Sequence, residues 1–362
     1  MNAETGGKLF VKAENLRQVS AALLEHRGVP ADQAATVARC LVEADLRGVE
    51  THGVVRLPHY LHRMRLGLIK PDPAIRVEQK TPAAVLVDAD DGFGFVAATR
   101  AMEEALRMAA TFGIGLAAVK RSNHFGMAAS YVLQAIRGGC MSMVFTNASA
   151  SMPPWGGQDP VLGTSPFAAG APGGALPPFV LDMAPAVAAR GKIRLAAKRG
   201  DRIPEGWALD KHGRATTDPE AALDDGVVLP MGGPKGSALS MMMDIFGGVF
   251  TGSAFAGDVT NHTTEYTKPQ DVGHFMVAIK PDLFMTRPEF EARMDVLVGR
   301  VKGGRKAAGF DEILVSGEPE ARKEAERLRT GIALPRAELG ALMEEAEQAG
   351  VAFPPTSPTP YA

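Results

Sequence analysis

The stretch from Lys120 to Gly170, KRSNHFGMAASYVLQAIRGGCMSMVFTNASASMPPWGGQDPVLGTSPFAAG, contains one histidine between predicted elements of regular structure. His124 follows a predicted strand at 114–120 and precedes a predicted helix at about 126–137. A second predicted strand, at 141–147, leads into a loop rich in glycine, proline and small polar residues. Active sites are often built in this way, because loops at strand ends carry chemistry on a rigid scaffold. A hydrogen-bonded histidine beside an ordinary surface loop is the alternative interpretation.

On both sides of this stretch, predicted strands and helices alternate. Short apolar runs predict further strands at 83–89, 179–183, 272–279 and 312–316. Helical periodicity predicts helices at about 95–111, 287–302, 318–330 and 336–349, and a further helix that begins near Lys235. This alternation by itself favours a parallel, doubly wound sheet. The Pro-rich tail FPPTSPTPYA is predicted to be unstructured.

The N-terminal part of the chain is predicted to be a helical module. Amphipathic patterns at 12–27 and 30–47 end at Gly28 and Gly48, which is typical of helix C-termini. A third helix is predicted at about 55–67, with its proline in the first turn. The segment LIKPDP then ends the module.

The composition excludes several classes of protein. The chain has 362 residues, 46% of them hydrophobic, and a formal net charge of −2, which argues against a nucleic-acid-binding protein. Cys40 and Cys140 are far apart in apolar surroundings, so we expect buried thiols in a reducing compartment. The first 16 residues lack the apolar core of a signal peptide. The apolar window Ser237–Ala256 contains Asp244 and several glycines, so it predicts a core helix and not a membrane span. A cytoplasmic protein that binds no membrane is expected.

A GxGxxA pattern formed by Gly92, Gly94 and Ala97 stands between a predicted strand and a predicted helix, as in a Rossmann fingerprint. The preceding acidic residues would repel a pyrophosphate; they are Asp88, Asp90 and Asp91. The next strand ends in basic residues, without an acidic side chain for a ribose hydroxyl. We therefore interpret the glycines as a tight acidic turn.

One group of candidate site residues lies at the start of the third predicted helix. Arg56 and Tyr60 are four residues apart and share a helix face, and Thr51 and His52 come just before them. An arginine fork binds a carboxylate, a phenol adds a hydrogen bond, and an imidazole exchanges protons near neutral pH. This set fits a small 2-hydroxy or 2-oxo acid. The alternative is a helix whose polar side chains face solvent, and His59 and His62 are predicted to be surface residues.

Two further segments carry groups that suit a cofactor. Gly232–Gly236, with the sequence GGPKG, precedes an apolar helix, so free backbone N–H groups and Lys235 together can bind a phosphate. Asp182-Met183-Ala184 ends a predicted strand and is followed by Gly191-Lys192. A plain turn explains the glycine segment equally well. The sequence contains no HExxH, paired cysteines or GxSxG, so no metal site or serine hydrolase is predicted.

These segments together resemble the malate/L-lactate dehydrogenase family. That family also contains sulfolactate, ureidoglycolate and diketogulonate oxidoreductases and cyclic-imine reductases. The similarity extends from about Leu16 to Gly350. It is carried by THGVVRLPHY, KRSNHFG, TNASASMPPWGG, LGTSPFA, LDMA, RGKI, IPEGWALDKHGRATTDP, LPMGGPKG, DVGHFMVAI and SGEPE, in that order.

The resemblance implies an α+β fold that binds NAD or NADP without a Rossmann domain, in place of the parallel sheet that alternation favours. It implies a helical domain of residues 1–75 with 290–362. Residues 76–289 would form an α+β cofactor-binding domain with a mixed, largely antiparallel sheet. It also implies a homodimer.

The resemblance further implies roles for individual residues. His52 and His124 are the candidate acid/base residues, and the family pattern does not choose between them. Thr51, Arg56 and Tyr60 are implied to bind the substrate carboxylate. The positions implied to contact cofactor are His124, Ala148, Thr164, Asp182, Met183, Ala184, Lys235, Gly317 and Glu318. Two departures from the family pattern, Thr51 for Ser and Ser165 for Asn, leave the substrate open.

The expected activity is reversible hydride transfer between a nicotinamide and C2 of a small 2-hydroxy or 2-oxo acid. Reduction of a cyclic imine carboxylate is the first alternative, since it uses the same carboxylate clamp. A catalytically inactive binding protein that keeps the fold is the second. The sequence does not choose between NAD and NADP.

Overall fold

The computed structural model describes residues 7–361. Its helices are α1 (Ala13–His26), α2 (Ala31–Leu46), α3 (Leu57–Arg65), α4 (Gly94–Phe112), α5 (Ala129–Arg137), α6 (Arg190–Arg199), α7 (Pro219–Leu223), α8 (Pro234–Asp244), α9 (Arg287–Lys302), α10 (Glu318–Thr330) and α11 (Arg336–Ala349). Its strands are β1 (Lys8–Val11), β2 (Arg76–Thr81), β3 (Ala84–Asp88), β4 (Ile114–Ser122), β5 (Met141–Thr146), β6 (Ala150–Met152), β7 (Leu162–Gly163), β8 (Phe167–Ala171), β9 (Phe179–Met183), β10 (Ala208–Leu209), β11 (Ala215–Thr216), β12 (Val227–Val228), β13 (Val272–Ile279) and β14 (Ile332–Pro335). Short 3-10 turns at Glu50–His52 and Val54–Arg56 precede α3, and a π-helical turn at Ile245–Val249 follows α8.

The central sheet has seven strands in the order β2-β3-β4-β13-β5-β8-β9. The β3–β4 pair is parallel and the other five pairs are antiparallel. The parallel, doubly wound sheet that alternation favours is therefore wrong, and the α+β class is confirmed. The reason is that β13, from far along the chain, inserts between β4 and β5 and runs opposite to both.

This topology brings the predicted site segments to one edge of the sheet. Since β4 and β5 are each antiparallel to β13, they run in the same direction, and β3 and β9 share it. The carboxyl ends of these four strands meet at one edge; they are Asp88, Ser122, Thr146 and Met183. The segments that contain His124, Ala148 and Ala184 all leave the sheet from this edge.

Two large apolar clusters form the core. One packs α4 and α5 against the central sheet, with Met102, Val119 and Tyr131 among its fully buried members. The other joins α1, α2, α3 and α11 to the antiparallel pair β1–β14, so both ends of the chain contribute to it. Helix α9 lies elsewhere, since its Asp295 accepts hydrogen bonds from the backbone of the β8–β9 connection. The domain boundaries at 75 and 290 stay a prediction.

A smaller lobe lies between β9 and α8. It consists of α6, α7 and the three-stranded sheet β11-β10-β12, around a small apolar cluster that includes Ile193 and Ile203. The lobe is tied to the base of α8, because the N–H of Val187 donates to the carbonyl of Leu229 at 2.9 Å.

Several local predictions need correction. The strand predicted at 312–316 is wrong: this segment is irregular and turns into α10 at Gly317, whose φ is +89°. Its contact with the central sheet is at the last residue, where the N–H of Val180 donates to the carbonyl of Ser316. The tail is also ordered where it meets β1, because Phe10 and Ser357 exchange backbone hydrogen bonds.

The apolar window 237–256 is a core helix only in part. Its buried face contains Met243 and the glycines Gly247 and Gly248, and the two glycines pack closely against the Asn147 segment. Its other face exposes large apolar side chains, here called the α8 stripe: Met241, Ile245, Val249, Phe250 and Phe255. Among the described residues, no helix is both long and apolar enough to cross a membrane. Both cysteines are buried free thiols, as predicted.

Candidate active site

His124 is held at the carboxyl end of β4 by contacts on three sides. The side-chain amide of Asn123 donates to the carbonyls of Asp91 and Gly92 at 3.0 and 2.9 Å. The N–H of His124 donates to the side-chain oxygen of Gln270 at 2.9 Å. Helix α4 approaches from below, and a Cβ at Gly94 would overlap the carbonyl oxygen of Asn123. The GxGxxA glycine therefore serves close packing under the histidine.

Two of the three acidic residues at that turn, Asp88 and Asp90, are paired with neighbouring cations. Arg121 forms ion pairs with Asp88 and Asp90 at 2.8 Å each, and Lys70 pairs with Asp90 at 2.8 Å. These bonds hold the pKa of Asp90 at about 2. The interpretation of this segment as a tight acidic turn is consistent with these pairs.

Tyr60 fixes one nitrogen of the His124 ring. Its hydroxyl lies 2.7 Å from Nδ1, and the backbone N–H of Gly126 points at the same nitrogen from 3.4 Å. Because a backbone N–H can only donate, Nδ1 is an acceptor, and the neutral ring carries its proton on Nε2. Nε2 has no hydrogen-bond partner within residues 7–361 and is not enclosed, so it is a free donor.

The segment before α3 brings a second imidazole and a guanidinium to the same place. The His52 and His124 ring centroids are 5.5 Å apart, so the predicted convergence of the two histidines is present. Nδ1 of His52 is 2.9 Å from the hydroxyl of Thr51. Arg56 donates from Nε to the carbonyl of Thr51 at 2.7 Å, which orients its fork. Arg56 lies in the 3-10 turn just before α3, not within the helix.

A third imidazole, which the sequence did not point to, completes the cluster. The ring of His262 stacks on His124 with centroids 4.9 Å apart, and its Nε2 is 3.4 Å from a terminal nitrogen of Arg56. His59 contacts the His262 ring edge-on at 5.4 Å and is half-buried, so its prediction as a surface residue is wrong. His62 is exposed, as predicted. A lone histidine in a polar loop carries no local signal, because its role depends on contacts about 140 residues away.

Burial and neighbouring cations keep these imidazoles neutral. Burial, with a further effect of Arg56, lowers the pKa of His52 to about 4. Burial lowers the pKa of His124 well below its usual value, and His262, His52 and Arg56 add to this effect. The pKa of His262 falls to about 3 for the same reasons. The neighbours that shift the His124 pKa are therefore imidazoles and a guanidinium, which is an environment that favours an anion.

Beneath the His52 turn lies a buried carboxyl group. Asp45 is a fully buried residue of α2, and its carboxyl accepts a hydrogen bond from the N–H of Val54 at 2.8 Å. Its carboxyl packs against Gly53 so closely that any Cβ there would overlap it. Burial raises the pKa of Asp45 to about 8, so the group is mostly protonated at neutral pH. Asp45 thereby sets the backbone path between His52 and Arg56.

Another buried histidine links the strand ends below the site. Nδ1 of His274 is 2.7 Å from the hydroxyl of Thr146, and Nε2 is 2.9 Å from that of Ser122. Its ring stacks on Phe125 with centroids 4.5 Å apart. Both nitrogens are paired, so we assign His274 a structural role: it joins the ends of β4 and β5.

The segments predicted to contact cofactor are brought together at the same edge. Met231 donates from its N–H to the carbonyl of Pro185 at 2.7 Å, which sets the turn before Lys235 beside the Asp182–Ala184 segment. Asp182 accepts a hydrogen bond from the N–H of Ala129 at 2.8 Å. Although solvent reaches part of this residue, the surrounding protein raises the pKa of Asp182 to about 6.

Two more predicted positions lie against one another. The turn at Gly163 is so close to Ala148 that a Cβ would overlap the Ala148 carbonyl oxygen, and Thr164 follows directly. Ser240 of α8 donates to the carbonyl of Gly163 at 2.7 Å, which joins this turn to the Lys235 helix. Ser165, where the family pattern has Asn, is buried, and its hydroxyl lacks a partner within the described chain.

Glu318 is already engaged within the protein. Its carboxylate accepts hydrogen bonds from Lys302 and Arg322 at 2.6 Å, and these bonds lower the pKa of Glu318 to about 2. The carbonyl of Gly317 accepts a weak hydrogen bond from Arg47 at 3.4 Å. A ligand at this turn would therefore meet backbone atoms more readily than the Glu318 carboxylate.

Within residues 7–361, no cluster of three or more His, Cys, Asp or Glu side chains has the arrangement of a metal site. The imidazole cluster instead combines with Arg56 and Tyr60, a set that suits a small anion and a proton transfer.

The family model described as malate/L-lactate dehydrogenase matches residues 11–343. The chain belongs to the malate/L-lactate dehydrogenase family. The curated relatives that it matches are named as dehydrogenases, and the chain is accordingly an enzyme of the oxidoreductase class, as the resemblance implied.

Curated relatives within the malate/L-lactate dehydrogenase family have different names. The L-sulfolactate dehydrogenase of Methanocaldococcus jannaschii is 38% identical over 88% of this chain and 91% of its own length. The (2R)-3-sulfolactate dehydrogenase (NADP(+)) of Chromohalobacter salexigens is 38% identical over 83% of this chain and 91% of its own length. The ureidoglycolate dehydrogenase (NAD(+)) of Escherichia coli O157:H7 is 33% identical over 89% of this chain and 91% of its own length.

Solved structures of the family superpose over nearly the whole chain. The Methanocaldococcus jannaschii sulfolactate dehydrogenase matches with a TM-score of 0.90 and 36% identity over 95% of this chain and 98% of its own. The malate dehydrogenase of Pyrococcus horikoshii matches with a TM-score of 0.88 and 34% identity, over 98% of this chain and 99% of its own. The delta1-piperideine-2-carboxylate reductase of Pseudomonas syringae pvar. tomato matches with a TM-score of 0.84 and 29% identity, over 93% of this chain and 99% of its own.

Proposed function

We propose that this enzyme transfers a hydride between the nicotinamide of NAD or NADP and C2 of a small 2-hydroxy or 2-oxo acid. The observation that carries the proposal is the 2.7 Å contact between Tyr60 and Nδ1 of His124, beside an oriented Arg56. Relatives named as sulfolactate and ureidoglycolate dehydrogenases, two of them with NADP(+) or NAD(+) in the name, support this reaction class.

The residues at the sheet edge fit a dinucleotide. Lys235 is exposed at the start of α8 after two glycines with positive φ, and it forms no ion pair with the rest of the described chain. A cation at a helix N-terminus suits a phosphate. The Asp182 carboxyl suits a ribose hydroxyl. We propose that these two groups, with Met183, Ala184 and the Gly317 backbone, hold the cofactor, and that Ala148, Thr164 and His124 line the nicotinamide end. The GxGxxA turn takes no part, so the cofactor site is not of the Rossmann type.

Arg56 binds the substrate carboxylate. Its Nε is committed to the Thr51 carbonyl and its Nη1 lies 3.4 Å from Nε2 of His262, whereas Nη2 has no partner within the described residues. Charge-assisted hydrogen bonds from a guanidinium to a carboxylate are among the stronger ones in proteins. The hydroxyl of Thr51 and the ring of Tyr60 form part of the same wall.

His124 carries the proton. In reduction, the ring protonated on both nitrogens gives its Nε2 proton to the oxygen on C2. In oxidation, Nε2 takes the hydroxyl proton of the substrate, which requires the tautomer whose ring proton is on Nδ1 and is donated to the Tyr60 hydroxyl. Tyr60 can donate to Nδ1 or accept from it, so its hydroxyl supports the ring in both states. A carboxylate bound to Arg56 offsets the cation that lowers the pKa of His124, which favours protonation in the substrate complex. The bound nicotinamide supplies or accepts the hydride itself.

Separate replacement of the two histidines tests these roles. We expect His124→Ala to lower kcat by roughly 10²–10⁴-fold with NADH or NADPH and a 2-oxo acid, since that is the usual value of general acid–base help. His52→Ala should lower kcat less, because its ring lacks the tyrosine partner. His62→Ala, on an exposed face of α3, is the control. Near-normal turnover in both His52→Ala and His124→Ala would contradict the proposed proton transfer.

A second candidate reaction is reduction of a cyclic imine carboxylate, which is favoured by the structural match to a piperideine-2-carboxylate reductase. It uses the same Arg56 clamp and the same hydride. A substrate panel of oxaloacetate, pyruvate, sulfopyruvate and cyclic imines, with each cofactor, separates the two reactions. Turnover restricted to the imines would replace the 2-oxo acid assignment.

We further propose a homodimer formed through the α8 stripe. Met241, Ile245 and Val249 follow one another at a spacing of four and are about half exposed or more. An apolar row of this kind, beside Phe250, is typical of a surface that a partner covers.

The two free thiols support the predicted cytoplasmic location.

A further inference from the structure

His262 is held beside His124 by a loop that is hydrogen-bonded to buried side chains. The side chain of Arg63 is fully buried, and it donates to the carbonyls of His262, Glu265 and Lys268 at 3.3, 2.9 and 3.4 Å. Gln270 closes the loop, since its amide donates to the Thr260 carbonyl at 3.3 Å while its oxygen accepts the His124 N–H. The position of the His262 ring beside His124 is therefore built into the fold.

The nitrogens of His262 have different roles. Nε2 faces a terminal nitrogen of Arg56 at 3.4 Å, and a guanidinium can only donate. The neutral ring of His262 therefore carries its proton on Nδ1. That nitrogen has no hydrogen-bond partner among residues 7–361 and is not enclosed, so it is a free N–H donor on the ring that stacks on His124.

Three donors of this cluster therefore have no protein partner within residues 7–361. They are Nη2 of Arg56, Nε2–H of His124 and Nδ1–H of His262. A 2-oxo acid uses two of them, because its carboxylate takes Arg56 and its C2 oxygen takes His124. The third donor is left for another acceptor on the substrate. The charged groups that act on His262 are Arg56 and Arg63, together with neighbouring imidazoles, and the cations favour an acceptor with negative charge.

We propose that His262 is a specificity-determining residue that binds a second anionic group, carried on C3 of the substrate. The inference rests on the proposed function. It implies that the enzyme prefers 2-hydroxy and 2-oxo acids with a carboxylate or sulfonate on C3 to acids with a plain alkyl substituent. A cyclic imine with a methylene ring leaves the third donor unpaired and is disfavoured for the same reason.

The test compares two substrates that differ in that group, oxaloacetate and 2-oxobutyrate, in steady-state assays with NADH and NADPH. His262→Phe keeps a stacked ring and removes the N–H. We expect it to lower kcat/KM for oxaloacetate by about 10–100-fold more than for 2-oxobutyrate, as for other lost hydrogen bonds to a substrate. His262→Asn, which has an amide donor, should restore part of the preference. His62→Phe, on the exposed face of α3, is the matched control and should change neither value.

Four outcomes would count against the proposal, and they are distinguishable. An equal loss with both substrates would mean that His262 only positions Arg56, and it would overturn the proposal. An unchanged preference in His262→Phe would overturn it as well. If the wild-type enzyme binds cofactor but reduces neither acid, the proposed function fails, and the inference fails with it. If the wild type reduces both acids without preferring the dianion, the inference alone is wrong.

Discussion

At the scale of single residues, the site depends on a carboxyl group that never contacts the reactants. Asp45 lies under Gly53 and accepts the Val54 N–H, so it shapes the turn that presents His52 and Arg56. A buried acid is best tolerated there in its neutral form, because ionisation in this environment is costly. The folded protein accordingly keeps a proton that the unfolded chain has released by neutral pH.

This difference predicts how stability depends on pH. With the pKa of Asp45 raised from 3.8 to about 8, the folded state binds more protons than the unfolded state between these values. The contribution of Asp45 to the free energy of unfolding is fully present below pH 4 and is lost as the pH rises through 8. Asp45→Asn still offers Val54 an acceptor and cannot ionise. We expect its stability relative to wild type to improve by roughly 1 kcal/mol per pH unit between pH 5 and 8.

Denaturant unfolding across that pH range measures the effect. Asp295→Asn is the control, because backbone N–H groups lower the pKa of Asp295, so its contribution is constant above pH 5. A wild-type minus Asp45→Asn difference that stays flat with pH would show that Asp45 is ionised in the folded protein.

At the scale of secondary structure elements, the position of His124 depends on how closely α4 approaches the end of β4. Gly94 begins α4, and its missing side chain lets the helix contact the Asn123 and His124 carbonyls. The helix also places Phe95 edge-on to the His124 ring at 6.5 Å. The glycine pattern that suggests a dinucleotide fingerprint is thus explained by packing between helix and strand.

We expect Gly94→Ala to destabilise the protein by about 1–3 kcal/mol, because backbone must move to admit the methyl group. It should also lower kcat, since the displaced segment carries His124. Gly340→Ala is the matched control: Gly340 lies inside α11 with open space around it, so alanine should stabilise the helix by about 0.5–1 kcal/mol. Thermal unfolding and steady-state kinetics measure both effects. Wild-type stability and turnover in Gly94→Ala would contradict the packing argument.

At the scale of the whole molecule, the least explained feature is the α8 stripe. Its apolar side chains lie on the solvent side of a helix whose other face is packed through glycines. Water contact with a row of this kind is unfavourable, and burial between two subunits removes the cost.

We expect the double variant Met241→Glu/Val249→Glu to halve the mass measured in light scattering or analytical ultracentrifugation, without loss of secondary structure. Two carboxylates would be buried without partners in the dimer, and that cost opposes association. Val296→Glu, at an exposed apolar position on α9 outside the stripe, should leave the mass unchanged. A wild-type protein that sediments as a monomer would show that the stripe has another purpose.

The predictable part of this protein is local. The helices at both ends and the strands β3, β4, β5, β9 and β13 followed from periodicity and end signals. The segment at 312–316 shows the limit, because it has a strand-like composition but no strand to pair with along its length. The edge strand β2 was missed because it is exposed throughout and has no apolar alternation.

The sequence alone determined the secondary structure near His124, the presence of Arg56 and Tyr60 within five residues of each other, and the family. Each of these depends on residue types at short spacings. Tertiary structure decided the sheet order and the place of His262. Strand β13 enters between β4 and β5, and Arg63 folds the 262–268 loop onto α3. Both are contacts between residues that are far apart in the chain, and no local pattern encodes them.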